Sequence, residues 1–321
     1  MSNWKPAANR TLGTGIGLVL LTVVISGVSN FVNFRAVQGT NVDAWLAVRN
    51  AIVVLLLVPL ALLFGRGTRR PRTRSEWGQL VAVGLVGGAI PFLLYFHGFQ
   101  LAASEGGAAS ASLGYRSLFL IATVLGVLVL RERVPRRFLL ASGLLMIGNV
   151  LLLAFTGPIW TDGTGYVMLA TALWAGEYAM SKRLLRDLPA STVTLGRMGF
   201  GAAFLLAYLG LSGQASSIAG FSGTDWMSLC FSALLLFVFV STWYAGLRTV
   251  DLSLASSLLV LAFPITWVLG VLTAKTAFTV EQGVGAAIVA AGAALLLGVA
   301  ARGGLRNGLS RWIRRWALRA G

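Results

Sequence analysis

The sequence predicts an all-α polytopic membrane protein with ten transmembrane helices in two five-helix inverted-topology repeats. Three observations predict it: a charge-poor apolar composition, ten apolar stretches of membrane-crossing length, and self-similarity between the two halves. Of 321 residues, 57% are hydrophobic and 11% charged. A soluble domain carries about 25% charged residues and has too little interior to hide so much apolar side chain.

The spans follow in order. The first, at about 12–34, begins after Lys5 and Arg10. It is too long for a signal-peptide core and lacks a cleavage site, so it reads as a retained anchor. Spans 2 to 5 are expected at about 44–64, 77–102, 106–130 and 137–155. Spans 6 to 10 follow at about 164–184, 190–212, 226–247, 252–274 and 280–301. Each has roughly 18 to 25 residues, enough to cross about 30 Å of hydrocarbon. The joins at 102–106 and 247–252 are short, and each separates two spans of one long apolar run. The resulting organisation is a cytoplasmic N-terminus at 1–11, repeats at 12–155 and 156–301, and a basic tail at 302–321.

Charge supplies the orientation. With the amino terminus inside, 21 of 26 Lys and Arg fall inside, at 5–10, 66–74, 131–137, 182–186, 248 and 302–319. Only Arg35 and Lys275 fall outside, and Arg49, Arg116 and Arg197 lie within spans. This distribution follows the positive-inside rule. It predicts a multi-pass protein of the cell membrane, plasma or inner, with both termini cytoplasmic. The net charge of +16 is then topology rather than a nucleic-acid footprint. In the tail, Leu309, Trp312, Ile313 and Trp316 share one helical face beside Arg311, Arg314, Arg315 and Arg319. That pattern suits an interfacial helix on anionic headgroups. Cys230 is the only cysteine, which excludes disulfides and cysteine metal sites.

The halves repeat. Val124–Leu128 recurs letter for letter at Val268–Leu272, and the Gly148–Leu153 segment matches Gly292–Leu297 at the same offset. A slightly larger offset pairs Arg49 with Arg197, and Tyr95–Gly98 with Trp243–Gly246. Five spans per half reverse the orientation of the second, giving the inverted repeat common among secondary transporters.

The chain from about 12 to 301 resembles the drug/metabolite transporter superfamily in its EamA-type branch. That branch commonly places a proline in the fourth helix of a half and a glutamate about a dozen residues later. The second half keeps Pro264 but has Thr276 for the acid; the first keeps Glu132 but has Leu120 for the proline. A tryptophan–small pair with an aromatic four residues on appears as Trp174-Ala175 with Tyr178, against Ser26-Gly27 with Asn30 in the first half. The resemblance implies that spans 1–4 and 6–9 surround a central cavity, with the fifth helix of each half outside, and that transport runs outward.

Ionisable groups within a bilayer usually face a cavity or a partner. Five qualify: Arg49, His97, Arg116, Glu177 and Arg197. At 1.5 Å per residue, Glu177 and Arg197 lie at matching depths, about 5 Å to the cytoplasmic side of the midplane. They form either a fixed ion pair or a working site, with Glu177 as a proton carrier or as the site for a cationic group. Arg49 lies on the outer side near Asn30 and Asn33, Arg116 is central beside Tyr115, and His97 is nearer the outer face. Arg116 or Arg49 would hold an anionic group; the alternative for Arg49 is backbone carbonyls or Asn33. Trp174, Trp243 and Trp267, with Tyr95, Tyr115, Tyr178 and Tyr244, are the deep aromatics expected to line the cavity. Such a cavity suits an amphipathic organic solute. Pro91 and Pro264 would kink their spans near mid-depth, where gating bends are useful.

No zincin, Walker or dinucleotide motif is present, so no cofactor is expected and direct ATP coupling by this chain is excluded. Gly220-Phe221-Ser222-Gly223 spells the nucleophile pattern of rhomboid-type intramembrane proteases, with His97 as a base, but Ser222 falls in an outer loop. The reading is a non-enzymatic carrier of a small organic metabolite, by alternating access. A lipid scramblase is the alternative.

Overall fold

The computed structural model describes residues 8–36, 40–64, 71–153, 157–274 and 279–317; side chains at 8–11, 34–35, 60–64, 274 and 300–317 are not described. The described residues are helical, with connecting turns. Predicted spans 1, 2, 5, 6 and 7 are single helices, α1 (Ala8–Ala36), α2 (Val42–Phe64), α7 (Arg136–Leu153), α8 (Asp162–Leu184) and α9 (Ala190–Leu211), and spans 8 and 10 are unbroken as well. Span 3 is broken into α3 (Arg74–Gly88) and α4 (Ile90–Ser104), and span 4 into α5 (Ala108–Arg116) and α6 (Leu118–Leu130). After a 3-10 turn at Gln214–Gly220 comes α10 (Gly223–Leu247); span 9 is α11 (Leu252–Leu259) plus α12 (Ala262–Ala274). The last helix, α13, runs unbroken through Val280–Ala317, so the backbone gives the tail no separate helix. The tail's amphipathic face lies outside the described side chains. So do the loops carrying Arg66–Arg70 and Thr276.

Among the described residues, nine helical stretches are long and apolar enough to cross a membrane, and α8 is the predicted span that falls short. The reason is its place in the fold. It packs against α3, α4, α5 and α6 and buries Thr164, Thr171, Glu177 and Ser181. Its polar residues are on the side packed against those helices, while Tyr166 and Leu169 are exposed.

Packing follows the internal repeat. Among the closest pairs are α7 with α13, α1 with α10, α4 with α8, and α2 with α9. Exchanging the halves maps α1–α10 onto α8–α4 and maps the other two pairs onto themselves. Small residues set the approach. Gly84 and Gly88 of α3 meet Gly196 and Gly201 of α9 without room for a methyl group, and Gly148 of α7 meets Gly285 of α13. Gly199, by contrast, faces open space.

The break in span 4 falls at Ser117 and that in span 9 at Val260–Leu261, 144 residues apart like the Val124/Val268 match. Pro264 follows the second break, where Phe263 N–H donates instead to Val260 O at 3.2 Å. The first break needs no proline. Leu120 N–H donates to Ser117 O at 2.9 Å, and the Ser117 hydroxyl donates to Gly114 O at 2.6 Å.

Candidate functional site

The break between α3 and α4 builds the centre of the site. Pro91 has no N–H, so the carbonyl four residues back, Gly87 O, loses its helical donor. Phe92 N–H turns to Ala89 O at 3.1 Å, which leaves Gly88 O free as well. In a membrane interior each such carbonyl needs another donor. Gly87 O accepts from Arg197 Nη2 at 2.8 Å and from Trp174 Nε1 at 3.0 Å. Gly88 O accepts from Asn50 Nδ2 at 3.1 Å. Helices α2, α8 and α9 are therefore pinned to one kink.

Glu177 stands against the same turn. Its Oε1 accepts from Tyr244 OH at 2.6 Å and from the Ser181 hydroxyl at 2.5 Å. Its Oε2 lies 3.5 Å from Arg197 Nε, with both residues buried. That contact is an ion pair rather than a hydrogen bond, since neither atom finds a hydrogen-bond partner. The two side chains, on consecutive spans, are within ion-pair reach of one another.

Arg49 meets neither Asn33 nor a carboxylate. Its guanidinium lies 4.7 Å from the Trp45 ring centre, 4.9 Å from Phe92 and 5.8 Å from Phe96. Its Nε and Nη2 reach no acceptor. Arg197 lies 5.7 Å from the same Phe92 ring, so one ring has two guanidinium groups near it. Arg116 donates from Nη1 to Asn149 O at 3.3 Å and lies 3.2 Å from the Phe263 ring centre.

These groups surround a cavity of about 900 Å³ between the halves. Of the sequence-predicted residues, Asn30, Asn33, Tyr95, Tyr115, Arg116, Trp174 and Tyr178 line it, together with Arg49 and Arg197. Tyr95, Tyr115 and Trp174 form a triangle of rings 5.0 to 5.6 Å apart. Asn33 is held by α10, whose Ser232 hydroxyl donates to Asn33 Oδ1 at 2.5 Å.

Four expected residues lie elsewhere. Trp243 is fully buried behind the wall, 4.7 Å from the Tyr178 ring, and Tyr244 holds Glu177. Trp267 packs against the core outside the lining. His97 faces away, half-exposed, with Nε2 2.7 Å from Asp43 Oδ1. Ser222 caps α10, accepting from Asp225 N–H at 3.2 Å and donating its hydroxyl to Asp225 Oδ2 at 2.7 Å. His97 and Ser222 are each engaged with a different aspartate, and the nucleophile–base pair is not assembled.

Sequence reasoning missed Phe92, Phe96 and Phe99, which line the cavity with Tyr95. Their spacing at 92, 95, 96 and 99 is that of one helical face, a signal available in the sequence. It also missed Ser26, Ser29, Gln100, Phe239, Phe263 and Thr266.

Among the described residues the lining of the cavity runs to one end of the bundle. Its lining reaches Asn33, Ala103, Ala108, Leu153 and Gly270, where α1, α4, α7 and α12 finish and α5 begins. At the opposite end the two halves are tied together. Arg131 closes α6 in a left-handed turn, φ 58°, and brings Glu132 to the start of α11. There the carboxylate accepts from Leu252 N–H at 2.6 Å, Ser253 N–H at 2.9 Å and the Ser253 hydroxyl at 2.7 Å. A carboxylate at a helix N-terminus is electrostatically favoured. Lys182 Nζ donates to Leu247 O at 2.6 Å and Val250 O at 2.7 Å, and Arg183 Nη2 to Val129 O at 3.1 Å. Cations thus cap the carbonyl ends of α10 and α6.

A family model for EamA-like transporters matches residues 13–154 and again 162–298. The chain belongs to the EamA-like transporter family. As a family member it is a multi-pass membrane protein with a transporter fold, and its two matched segments coincide with the halves that pack as equivalents. The EamA cavity described above therefore sits between two copies of the family unit. A solved crystal structure, one of 27 matching chains, aligns with a TM-score of 0.73 and 19% identity over 90% of this chain and 98% of that one; at this identity the likeness bears on the fold alone. No curated protein matches.

Proposed function

We propose that this protein is a secondary transporter that moves a small organic metabolite outward, by alternating access of the cavity between its halves. The observation that carries the reading is a cavity of about 900 Å³ between two repeats that are hydrogen-bonded to one another at the Glu132 end. A volume of that size holds a metabolite-sized molecule. In this reading α8 is the sixth of ten spans, and the repeats at 12–155 and 156–301 are the moving halves.

The basic clusters at 131–137 and 182–186 flank the Glu132 end. The positive-inside rule then sets that end and both termini in the cytoplasm of a plasma or inner membrane, with the cavity facing out. The tail at 302–321 would rest on anionic headgroups. Purified protein in liposomes, offered radiolabelled amino acids, nucleosides and sugars with and without a pH gradient, should give saturable movement of at least one class. Scrambling of dye-labelled lipid without solute movement would replace the carrier reading with a scramblase.

A further inference from the structure

The charge lining the cavity is one-sided. Its described lining includes Arg49, Arg116 and Arg197 and no Asp or Glu. Arg197 is balanced by Glu177 on the preceding span, 3.5 Å away. Arg49 is the repeat-related arginine, and the register that pairs Trp174 with Ser26 puts Ser29 where the second half has Glu177. The first half therefore keeps the cation and has a hydroxyl in place of its counterion. Arg49 is 1% exposed, and its Nε and Nη2 are enclosed against the surrounding rings without an acceptor. Ring faces offset a buried charge only in part. A cation in the cavity wall with no counterion among the described residues is arranged for an anion that arrives from outside.

We infer that the cavity takes an organic anion, whose carboxylate, sulfonate or phosphate group is received by Arg49 and whose aromatic or apolar body lies on Tyr95, Phe96 and Trp174. This rests on reading the cavity as the solute path. Guanidinium groups suit such oxyanions because their N–H groups diverge in a plane that matches two oxygens. Cations and zwitterions are disfavoured, since the one nearby carboxylate, Glu177, is already engaged by Arg197, Tyr244 and Ser181. Arg116 adds a second positive centre, but one already donating to Asn149 O.

The test is equilibrium binding to the full chain in nanodiscs, using three probes of one shape: naphthalene-2-sulfonate, its neutral sulfonamide, and 2-naphthylmethylammonium. The sulfonate should bind tightest. Arg49→Gln should weaken sulfonate binding about 10- to 100-fold, the loss of a charged hydrogen-bond pair, and leave the sulfonamide unchanged. Arg49→Lys should recover part of the loss. The melting temperature of Arg49→Gln should hold or rise, because the substitution removes an unbalanced buried charge. A fall in melting temperature with unaltered probe preference would make Arg49 a packing residue and overturn the proposal. So would tighter binding of the ammonium or the sulfonamide, or no sulfonate binding at all.

Liposomes separate the two readings. Charge-dependent sulfonate binding without any solute movement would sink transport and leave the anion site standing. Transport of a neutral or cationic solute that excess sulfonate does not inhibit would do the reverse.

Discussion

Replacing Glu132 with glutamine should loosen the end at which the two halves are tied together. The Glu132 carboxylate takes three hydrogen bonds from the start of α11, at 2.6, 2.9 and 2.7 Å. It belongs to the first half and its donors to the second, so the contact spans the two units that must part when this end opens. A hydrogen bond to a buried charged group contributes about 1.5–3 kcal/mol. Glu132 is half-buried, so about 1 kcal/mol for each is the better figure, or roughly 3 kcal/mol in all. Glutamine keeps one acceptor oxygen and loses the charge at the helix N-terminus, a loss of about 1–2 kcal/mol. That shifts the balance towards the opened end by about 5- to 30-fold.

The assay places a single cysteine at Ser256, a buried cavity residue on α11, in a Cys230→Ser background. An impermeant maleimide is applied to the basic face in inside-out vesicles. Labelling should accelerate by the same 5- to 30-fold factor in Glu132→Gln. Gly126→Ala should act in the same direction, since a methyl group there would stand 2.7 Å from Glu132 Oε2. An unchanged labelling rate in both variants would refute the latch, whatever their stability.

Further outcomes follow from the same geometry. Glu177→Gln leaves Arg197 buried without its counterion and should lower stability by about 3 kcal/mol in thermal unfolding, whereas the exchange Glu177→Arg with Arg197→Glu should recover part of it. A Glu177→Gln protein of full stability that exchanges solute but ignores a pH gradient would instead make Glu177 a proton carrier. Gly87→Ala pushes a methyl group into the Glu177 side chain and should cost about 1–3 kcal/mol by overpacking; a neutral effect on melting would show that α3 and α8 can slide apart. For orientation, a cysteine at Ser222 should label from outside intact cells and one at Arg133 only after permeabilisation. The reverse pattern would invert the assigned topology.

The spans were legible because a bilayer imposes length. All ten were read as apolar runs of membrane-crossing length; among the described residues nine helical stretches meet that measure, and α8, read as the run at 164–184, does not. The internal repeat was legible too, and it placed Arg49 and Arg197 as equivalents. What differs between them was not. Arg197 is anchored by Glu177 and by Gly87 O, a carbonyl that is free only because Pro91 follows it. Arg49 lies among rings whose approach depends on how α2 meets α4. The prolines marked two of the three breaks; Ser117 breaks span 4 with no marker in the sequence. Trp243 and Tyr244 show the limit of counting aromatics, since neighbours on one helix point in different directions and both here are enclosed by packing rather than lining the space.

The most direct test of the central claim uses Ser112, which lines the cavity on α5. A Ser112→Cys protein in the Cys230→Ser background is reconstituted and labelled with an impermeant maleimide, with and without a transported solute. If the cavity is the path, labelling stops transport and saturating solute slows labelling. Fully labelled protein that transports at the unmodified rate would contradict it.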